Sequence, residues 1–204
     1  MEPKAKPSNI GSKKLFKNPI LELLTRTHIS ITLVLFTVLP TLLLVYGFRN
    51  GHLNTLNALI LFFTGLLAFT LVEYVMHRFL FHIEPTTPGR AKFARIVHGA
   101  HHDFPKDKDR ISMPPVPQIL LVLFFFGIFY LILGNFVFGF LPGFFVGYLL
   151  YSSIHYAVHA YQPPKNFLKI LWIHHGIHHY KDPDNAYGVS SPFWDFLFRT
   201  MPKR

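Results

Sequence analysis

The sequence predicts an all-α integral membrane protein, in which four transmembrane helices lie beneath a cytoplasmic, histidine-rich cap that holds a dinuclear metal site. Three observations predict this fold. Half of the 204 residues are hydrophobic, 23 are Phe and only 15% are charged, a composition typical of a protein whose solvent is lipid. Long stretches lack any charge, and ten of the thirteen histidines recur in a regular pattern.

The uncharged stretches predict four membrane spans, at residues 29–48, 53–76, 116–133 and 136–154, where the second is uncharged to residue 72 and its helical pattern continues past Glu73. A run of about 20 residues crosses the hydrocarbon core of about 30 Å at about 1.5 Å per residue. Residues 111–164 contain no Asp, Glu, Lys or Arg, and a single helix of that length would measure about 80 Å. This stretch must therefore fold back, and Gly134-Asn135 is the predicted turn.

The basic residues predict the orientation of these spans. Both histidine-bearing regions follow an even-numbered span, so they lie on one side. All but one of the twenty Lys and Arg residues lie on that side, Arg49 being the exception, so it is the cytoplasmic side. The +10 charge thus reflects topology, and we expect no nucleic-acid partner. We interpret the chain as one domain with both termini cytoplasmic, comprising a basic segment (1–28), the four spans and the cap (77–115 and 155–204).

Within the basic segment, Asn18 followed by Pro19 resembles a helix N-cap. The pair predicts a short helix whose leucines lie on the membrane surface; a plain linker is the alternative.

Ten histidines form two blocks with the same gap of fifteen residues inside each: His77, His82, His98, His101 and His102, then His155, His159, His175, His178 and His179. Residues four apart on a helix differ by about 40° and can reach one ion, and the first, fourth and fifth residues of each HxxHH group fall within about 100° of one another, which predicts that all three lie on one face. His77 and His82 differ by about 140°, which predicts that one lies beyond a helix end or at a kink. Packing or pH sensing would explain one such pair, but ten crowded imidazoles would repel one another when charged. They therefore predict metal binding, and their number implies two ions.

The ligand type narrows the choice of metal only in part. The chain has no Cys, which excludes thiolate zinc sites and iron–sulfur clusters. Imidazole suits zinc, copper, iron and nickel. Two redox metals beside lipid suit O2 activation and attack on a C–H bond, so we favour iron, although zinc could occupy the site in a purified preparation. We expect no catalytic residue beyond the ligands and no organic cofactor site.

Other polar residues are assigned supporting roles. Glu73 lies one helical turn before His77 and is a candidate to orient it, with a carboxylate at the membrane boundary as the alternative. Asp103, Asp182 and Asp184 adjoin ligand groups and are weaker candidates for the same role, with solvated loop carboxylates as the alternative. His174 falls outside the pattern and is expected to be an exposed interfacial histidine, with a role behind the ligands as the alternative. His28 and His52 stand alone at span ends.

Four strings, in order, are similar to one known family: residues 73–82 (EYVMHRFLFH), 98–105 (HGAHHDFP), 110–117 (RISMPPVP) and 187–195 (YGVSSPFWD). With the histidine series, they resemble the fatty acid hydroxylase superfamily of membrane di-iron enzymes, in particular the fatty acid 2-hydroxylases of sphingolipid metabolism. The resemblance implies an O2-dependent monooxygenase that hydroxylates carbon 2 of a fatty acid, ceramide or related acyl chain, with the ten histidines as ligands.

The sequence departs from the resembled family in two respects. Many members carry an N-terminal haem domain, for which few residues precede the first span here. We therefore expect a separate electron donor, such as a b-type cytochrome or a ferredoxin with its reductase, and favour a bacterial inner membrane over the endoplasmic reticulum. Related members often have Asp immediately after the tyrosine that corresponds to Tyr151, whereas this chain has Ser152 there. We expect Tyr151 and Ser152 to contact the substrate.

Rival functions come from two classes. Within the enzyme class, a lipid desaturase, a sterol oxidase or a carotenoid hydroxylase are the alternatives. A histidine-rich metal transporter is the remote alternative, because a transporter places ionisable groups inside its spans, whereas the four uncharged runs here have their histidines at one edge.

Overall fold

The computed structural model describes residues 7–202. The ends of the predicted segments 1–28 and 155–204 therefore lie partly outside the described residues. Every regular element in the described part of the chain is helical, with no strand, which confirms the predicted all-α class. Nine α-helices are described: α1 (Pro19–Leu23), α2 (Ile29–Arg49), α3 (Thr55–Val75), α4 (Pro88–Ala94), α5 (Ala100–Asp103), α6 (Pro115–Leu133), α7 (Val137–Ala160), α8 (Lys169–Tyr180) and α9 (Phe193–Leu197).

Three stretches of the described residues are long and apolar enough to cross a membrane: Ile29–Arg49, Thr55–Phe81 and Lys108–Ala160. The third contains both α6 and α7, joined by one 3₁₀ turn at Gly134–Phe136. Gly134 adopts φ 54°, a conformation that favours glycine. Ring contacts between Phe129 and Phe140 and between Phe125 and Phe144 show that α7 runs back along α6. The predicted turn therefore lies where the run reverses.

Helix α7 is the centre of the helical bundle and packs against both α2 and α3. Glycines bring α3 and α7 into close contact: a Cβ at Gly65 would lie 2.0 Å from the Phe140 carbonyl oxygen, and one at Gly143 would lie 1.8 Å from that of Phe62. Such small residues allow backbones to approach within a membrane. The close approach places the C-terminal ends of α3 and α7, which bear histidines, side by side.

The N-terminal segment, residues 8–26, folds against the histidine-bearing end of the bundle. Asn18 caps α1 through its side-chain oxygen, as predicted, while Ile20 and Leu23 on this helix are about 70% exposed. The Glu22 carboxylate accepts hydrogen bonds from the amides of Leu15 and Phe16 and pairs with the buried Arg110 guanidinium. One ion pair thus joins this segment to the chain just before α6.

The C-terminal residues return to the same end of the bundle. Helix α9 contacts α3, and the Trp194 indole donates a hydrogen bond to the Thr70 hydroxyl at 3.0 Å.

The two isolated histidines have local roles: His28 caps α2 and His52 stacks on Phe138.

Candidate metal centre

All ten predicted ligands come together at one end of the bundle, in two sets of five. The first set consists of His77, His82, His98, His102 and His178, and the second set of His101, His155, His159, His175 and His179. In each set, one ring nitrogen per residue lies within 4.8 Å of all the others, and either set could hold a metal ion.

The two sets differ from the two sequence blocks by one exchange. Each set takes four histidines from one block and one from the other, since His101 and His178 have changed places. The three histidines of each HxxHH group therefore do not serve one ion, as a single shared face would predict, and helix geometry shows why. In each HxxHH group the first and fifth residues lie about 40° apart and share a set, whereas the fourth lies about 60° from the first in the opposite sense and reaches the other set. Each group therefore contributes to both sets.

A π-helical turn resolves the awkward spacing of His77 and His82. Residues Met76–Phe81 form this turn, and the His82 amide donates to the His77 carbonyl five residues earlier. Residues that are hydrogen-bonded in this way lie nearly one turn apart, so both side chains face the first set. His82 follows the last residue of the turn, in agreement with the predicted position beyond a helix end.

The distances between Nε2 atoms are suited to metal coordination. In the first set they are 3.1 Å for His77–His98, 3.0 Å for His98–His102 and 3.0 Å for His82–His178. In the second set they are 3.0 Å for His101–His155, 3.2 Å for His155–His159, 2.9 Å for His159–His175 and 3.1 Å for His175–His179.

These separations are short for a tetrahedral site. With metal–nitrogen bonds of about 2.1 Å, ligands at right angles lie about 3.0 Å apart and tetrahedral ones about 3.4 Å apart. Five ligands with near-right-angle spacing therefore fit an ion of coordination number above four better than a structural zinc.

Hydrogen bonds fix the tautomer of two histidines in the first set. The His77 Nδ1–H donates to the Tyr187 carbonyl at 2.5 Å, and the His178 Nδ1–H donates to the Asn185 carbonyl at 2.7 Å. In each neutral ring the Nε2 atom then carries a lone pair, which points at the Nε2 atoms of its neighbours. These two nitrogen atoms are therefore free to bind a cation placed between the rings.

The electrostatics of the cap favour neutral rings. Burial, and then the neighbouring imidazoles, hold the pKa values of His98, His101, His175 and His179 well below the ordinary 6.5. Burial lowers the pKa of His178 to about 3. Because only neutral imidazole binds a metal ion, these histidines are in the binding form at neutral pH.

A cavity of about 260 Å³ opens onto both sets. His98 of the first set lines it, as do His101 and His155 of the second. The other walls are mainly apolar and include Leu15 and Leu24 of the N-terminal segment. The cavity is thus the space in which a largely apolar molecule would meet both candidate metal sites.

Tyr151 and Ser152 lie beside this centre. Both line the cavity, and the Tyr151 ring stacks on that of His155, with centroids 5.6 Å apart. Contact with substrate at these two positions remains a prediction.

Two of the predicted supporting carboxylates have other partners. Glu73 accepts hydrogen bonds from the Val189 and Ser190 amides at 2.8 Å and from the Ser190 hydroxyl, so it holds the loop after α8 and does not bond His77. Asp103 pairs with Lys13 at 3.2 Å and so holds the N-terminal segment. Distant parts of the chain supply both partners, which sequence proximity does not indicate.

The structure corrects the expectation for His174 and identifies a carboxylate that the sequence argument missed. His174 is buried, not exposed, and its Nε2 atom lies 2.9 Å from the Asp195 carboxylate. Asp195 is fully buried and accepts hydrogen bonds from the Tyr187 and Gly188 amides. A single acidic residue in the apolar string FWDFLF was the available signal.

Comparisons with known proteins identify relatives of the chain. Residues 62–200 match the family profile described as fatty acid hydroxylase. The chain is similar to full-length scs7p, in whose solved structure only the hydroxylase domain is visible, with a TM-score of 0.83 and 33% identity; the match covers 92% of this chain and 71% of that one.

Curated relatives carry related names. The chain is 39% identical to the rat fatty acid 2-hydroxylase, in a match that covers 69% of this chain and 39% of the relative. It is 37% identical to the Schizosaccharomyces pombe ceramide very long chain fatty acid hydroxylase scs7, in a match that covers 93% of this chain and 55% of the relative. It is 30% identical to the Arabidopsis thaliana dihydroceramide fatty acyl 2-hydroxylase FAH2, in a match that covers 95% of this chain and 81% of the relative. The chain thus spans only about half or less of the first two. These organisms are eukaryotes and give no support to the predicted bacterial inner membrane.

Proposed function

We propose, because the chain belongs to the fatty acid hydroxylase family, that it is a membrane monooxygenase that hydroxylates carbon 2 of the acyl chain of a fatty acid, ceramide or related sphingolipid. The observation that carries the proposal is the apolar cavity lined by histidines of both sets. An acyl carbon in this cavity faces both candidate metal sites at once.

The ten histidines of the two sets hold two metal ions, which we propose to be iron. The donor set fits this role, since each set offers five closely spaced imidazole nitrogens. When bound, the two ions supply the oxygen activation that an unactivated C–H bond requires. In the overall reaction one atom of O2 enters the C–H bond, and the other leaves as water with two protons and two electrons.

The protein itself positions the substrate and excludes water. Apolar cavity walls such as Ile111 and Met113 hold the acyl chain. Leu15 and Leu24 cover the cavity from the N-terminal segment. Because the histidines lie at one end of the helical bundle, the acyl tail remains among the apolar helices while carbons near the head group meet the histidines. This placement supports attack close to the carboxyl end.

In this proposal α2, α3, α6 and α7 cross the membrane, which makes four spans because the third apolar run folds back at Gly134–Phe136. The histidine-rich cap is then cytoplasmic, since the basic residues cluster on its side. Exposed leucines of α1 rest on the membrane surface. A donor such as a b-type cytochrome or a ferredoxin with its reductase supplies the electrons, and the basic face attracts an acidic donor.

Lipid analysis of a heterologous host tests the proposal. We expect 2-hydroxy acyl chains in cells expressing the wild type and none with His175→Ala, which removes a member of the second set. His52→Ala is the matched control, because His52 lies at the other end of the bundle against Phe138, and it should leave product formation unchanged. A new double bond without any 2-hydroxy product would instead identify a desaturase.

A further inference from the structure

The two sets of histidines differ in what lies behind their rings. In the first set, His77 and His178 each donate from Nδ1 to a backbone carbonyl. In the second set, the Nδ1 atoms of His101, His175 and His179 are buried without a hydrogen-bond partner among residues 7–202. The asymmetry is not expected from the sequence, in which the two blocks repeat one another.

Both carbonyls belong to one loop, residues 185–190, that follows α8. Asn185 and Tyr187 provide them, and Ala186 between them adopts φ 60°, which is strained for a residue with a Cβ. The Ala186 amide donates to the Thr200 carbonyl at 2.8 Å. The loop is therefore held by specific contacts in a conformation that it would not adopt alone.

Two buried carboxylates hold this loop. Asp195 accepts from the Tyr187 amide at 2.9 Å and the Gly188 amide at 2.7 Å, and it is itself held by the Thr200 hydroxyl at 2.7 Å and by His174 at 2.9 Å. Glu73 accepts from the next two amides along the loop. Asp195 therefore fixes the backbone on both sides of the Tyr187 carbonyl that receives the His77 Nδ1–H.

A carbonyl behind a histidine ligand changes the affinity of the metal site. It fixes the tautomer and ring orientation and makes the metal-facing nitrogen more basic, and loss of such a partner typically lowers metal affinity about 10–100-fold. A buried ring N–H without an acceptor gives no such gain and remains unsatisfied.

From this asymmetry we infer that the first set binds its metal ion more tightly than the second set, and that Asp195 is a positioning residue of the first set, acting through the Tyr187 carbonyl behind His77. The inference rests on the proposed metal-binding function and deepens it. The second set would then be the one that loses its ion first and requires reloading.

Release of metal to a chelator tests the inference without any measurement of activity. The 204-residue chain in detergent is loaded with zinc as the probe, a chelator is added, and the zinc that remains bound per chain is followed over time. We expect two phases of one equivalent each, with the slow phase about 10–100 times slower than the fast one. His102→Ala, in the first set, should abolish the slow phase, and His159→Ala, in the second set, the fast phase.

Asp195→Asn tests the positioning role. It should accelerate the slow phase about 10–100-fold and leave the fast phase unchanged, a selectivity that general loosening of the fold would not produce. Asp109→Asn is the matched control, because Asp109 is an exposed carboxylate, and both phases should keep their wild-type rates. If Asp195→Asn does not fold, Thr200→Val removes one hydrogen bond to Asp195 and should give a smaller acceleration of the slow phase alone.

Release of both equivalents in one phase from the wild type would overturn the inference, as would equal acceleration of both phases by Asp195→Asn. Failure of the proposed function is a different result: two-phase release together with lipids that lack any 2-hydroxy product would refute the hydroxylase and leave the unequal sites in place.

Discussion

The buried Arg110 guanidinium provides a quantitative test of how firmly the N-terminal segment is joined to the fold. Its side chain is 4% exposed and donates to Glu22, to the Thr25 hydroxyl at 2.7 Å and to the Ser12 hydroxyl at 3.3 Å. Arg110→Met leaves the Glu22 carboxylate, itself only 13% exposed, without its buried cation. Removing one partner of a buried ion pair costs about 3–5 kcal/mol, and we expect the free energy of unfolding to fall by that amount.

Arg26→Met is a matched control, because Arg26 pairs with the same carboxylate. Its guanidinium lies 3.8 Å from the Glu22 oxygen, and the Arg26 side chain is 41% exposed. Solvent screens such a pair, whose contribution is typically below about 1 kcal/mol. The two substitutions remove a positive charge from the same carboxylate, so the difference between them reports the burial of Arg110 together with its contacts to Ser12, Thr25 and Asp107.

Unfolding by urea in a mild detergent, followed by the fluorescence of Trp172 and Trp194, measures both free energies. Hydrogen exchange adds a local measurement, because the Leu15 and Phe16 amides that donate to Glu22 at 2.9 Å should exchange faster in Arg110→Met alone. Equal destabilisation by the two substitutions would refute the reasoning. Loss of less than about 1 kcal/mol in Arg110→Met would refute it as well.

Two further predictions concern protonation and helix packing. The buried histidines of the cap have lowered pKa values in the folded chain. Below pH 6.5 the unfolded chain therefore binds more protons than the folded chain. As the pH falls from 6.5 towards the folded pKa, each such histidine lowers the free energy of unfolding by up to about 1.4 kcal/mol per pH unit. Metal content after dialysis should therefore be full at pH 7.5 and lost at pH 4; retention of both equivalents at pH 4 would contradict this. Gly143→Ala should destabilise the protein by about 1–3 kcal/mol or more, because the new methyl would meet the Phe62 carbonyl. Gly127→Ala on α6 is the control, because a methyl group there would have no atom within 4 Å. It should leave stability unchanged or raise it by up to about 1 kcal/mol. Similar urea midpoints for the two variants would contradict the close contact between α3 and α7.

The helices and the candidate ligands could be predicted because both depend on local periodicity. Long uncharged runs gave the apolar helices, and regular spacing identified all ten histidines of the two sets. Local helix geometry separates His101 and His178 from the other two histidines of their HxxHH groups. That each of them reaches the opposite set could not be predicted, because it depends on how two distant helix ends meet. The blocks define the residue types available, whereas tertiary packing decides which residues share a set.

Contacts between distant parts of the chain account for what the sequence argument missed. His174 was expected to be exposed, but the residues after α8 fold back and cover it with Asp195. The Tyr187 carbonyl behind His77 leaves no signal in the sequence, because every residue has a carbonyl group. The Arg110–Glu22 pair joins residues 88 positions apart, a separation over which no spacing rule applies.

Isotopic labelling of the product tests the central claim most directly. The protein, supplied with a reducing system under ¹⁸O₂, is given a fatty acid or ceramide whose acyl chain carries deuterium only at carbon 2, and the product is analysed by mass spectrometry. Our account predicts a 2-hydroxy acyl chain that gains one ¹⁸O atom and loses one deuterium. A hydroxyl elsewhere on the chain, a double bond, or a product oxygen that comes from water would contradict the proposed hydroxylation of carbon 2 by O2.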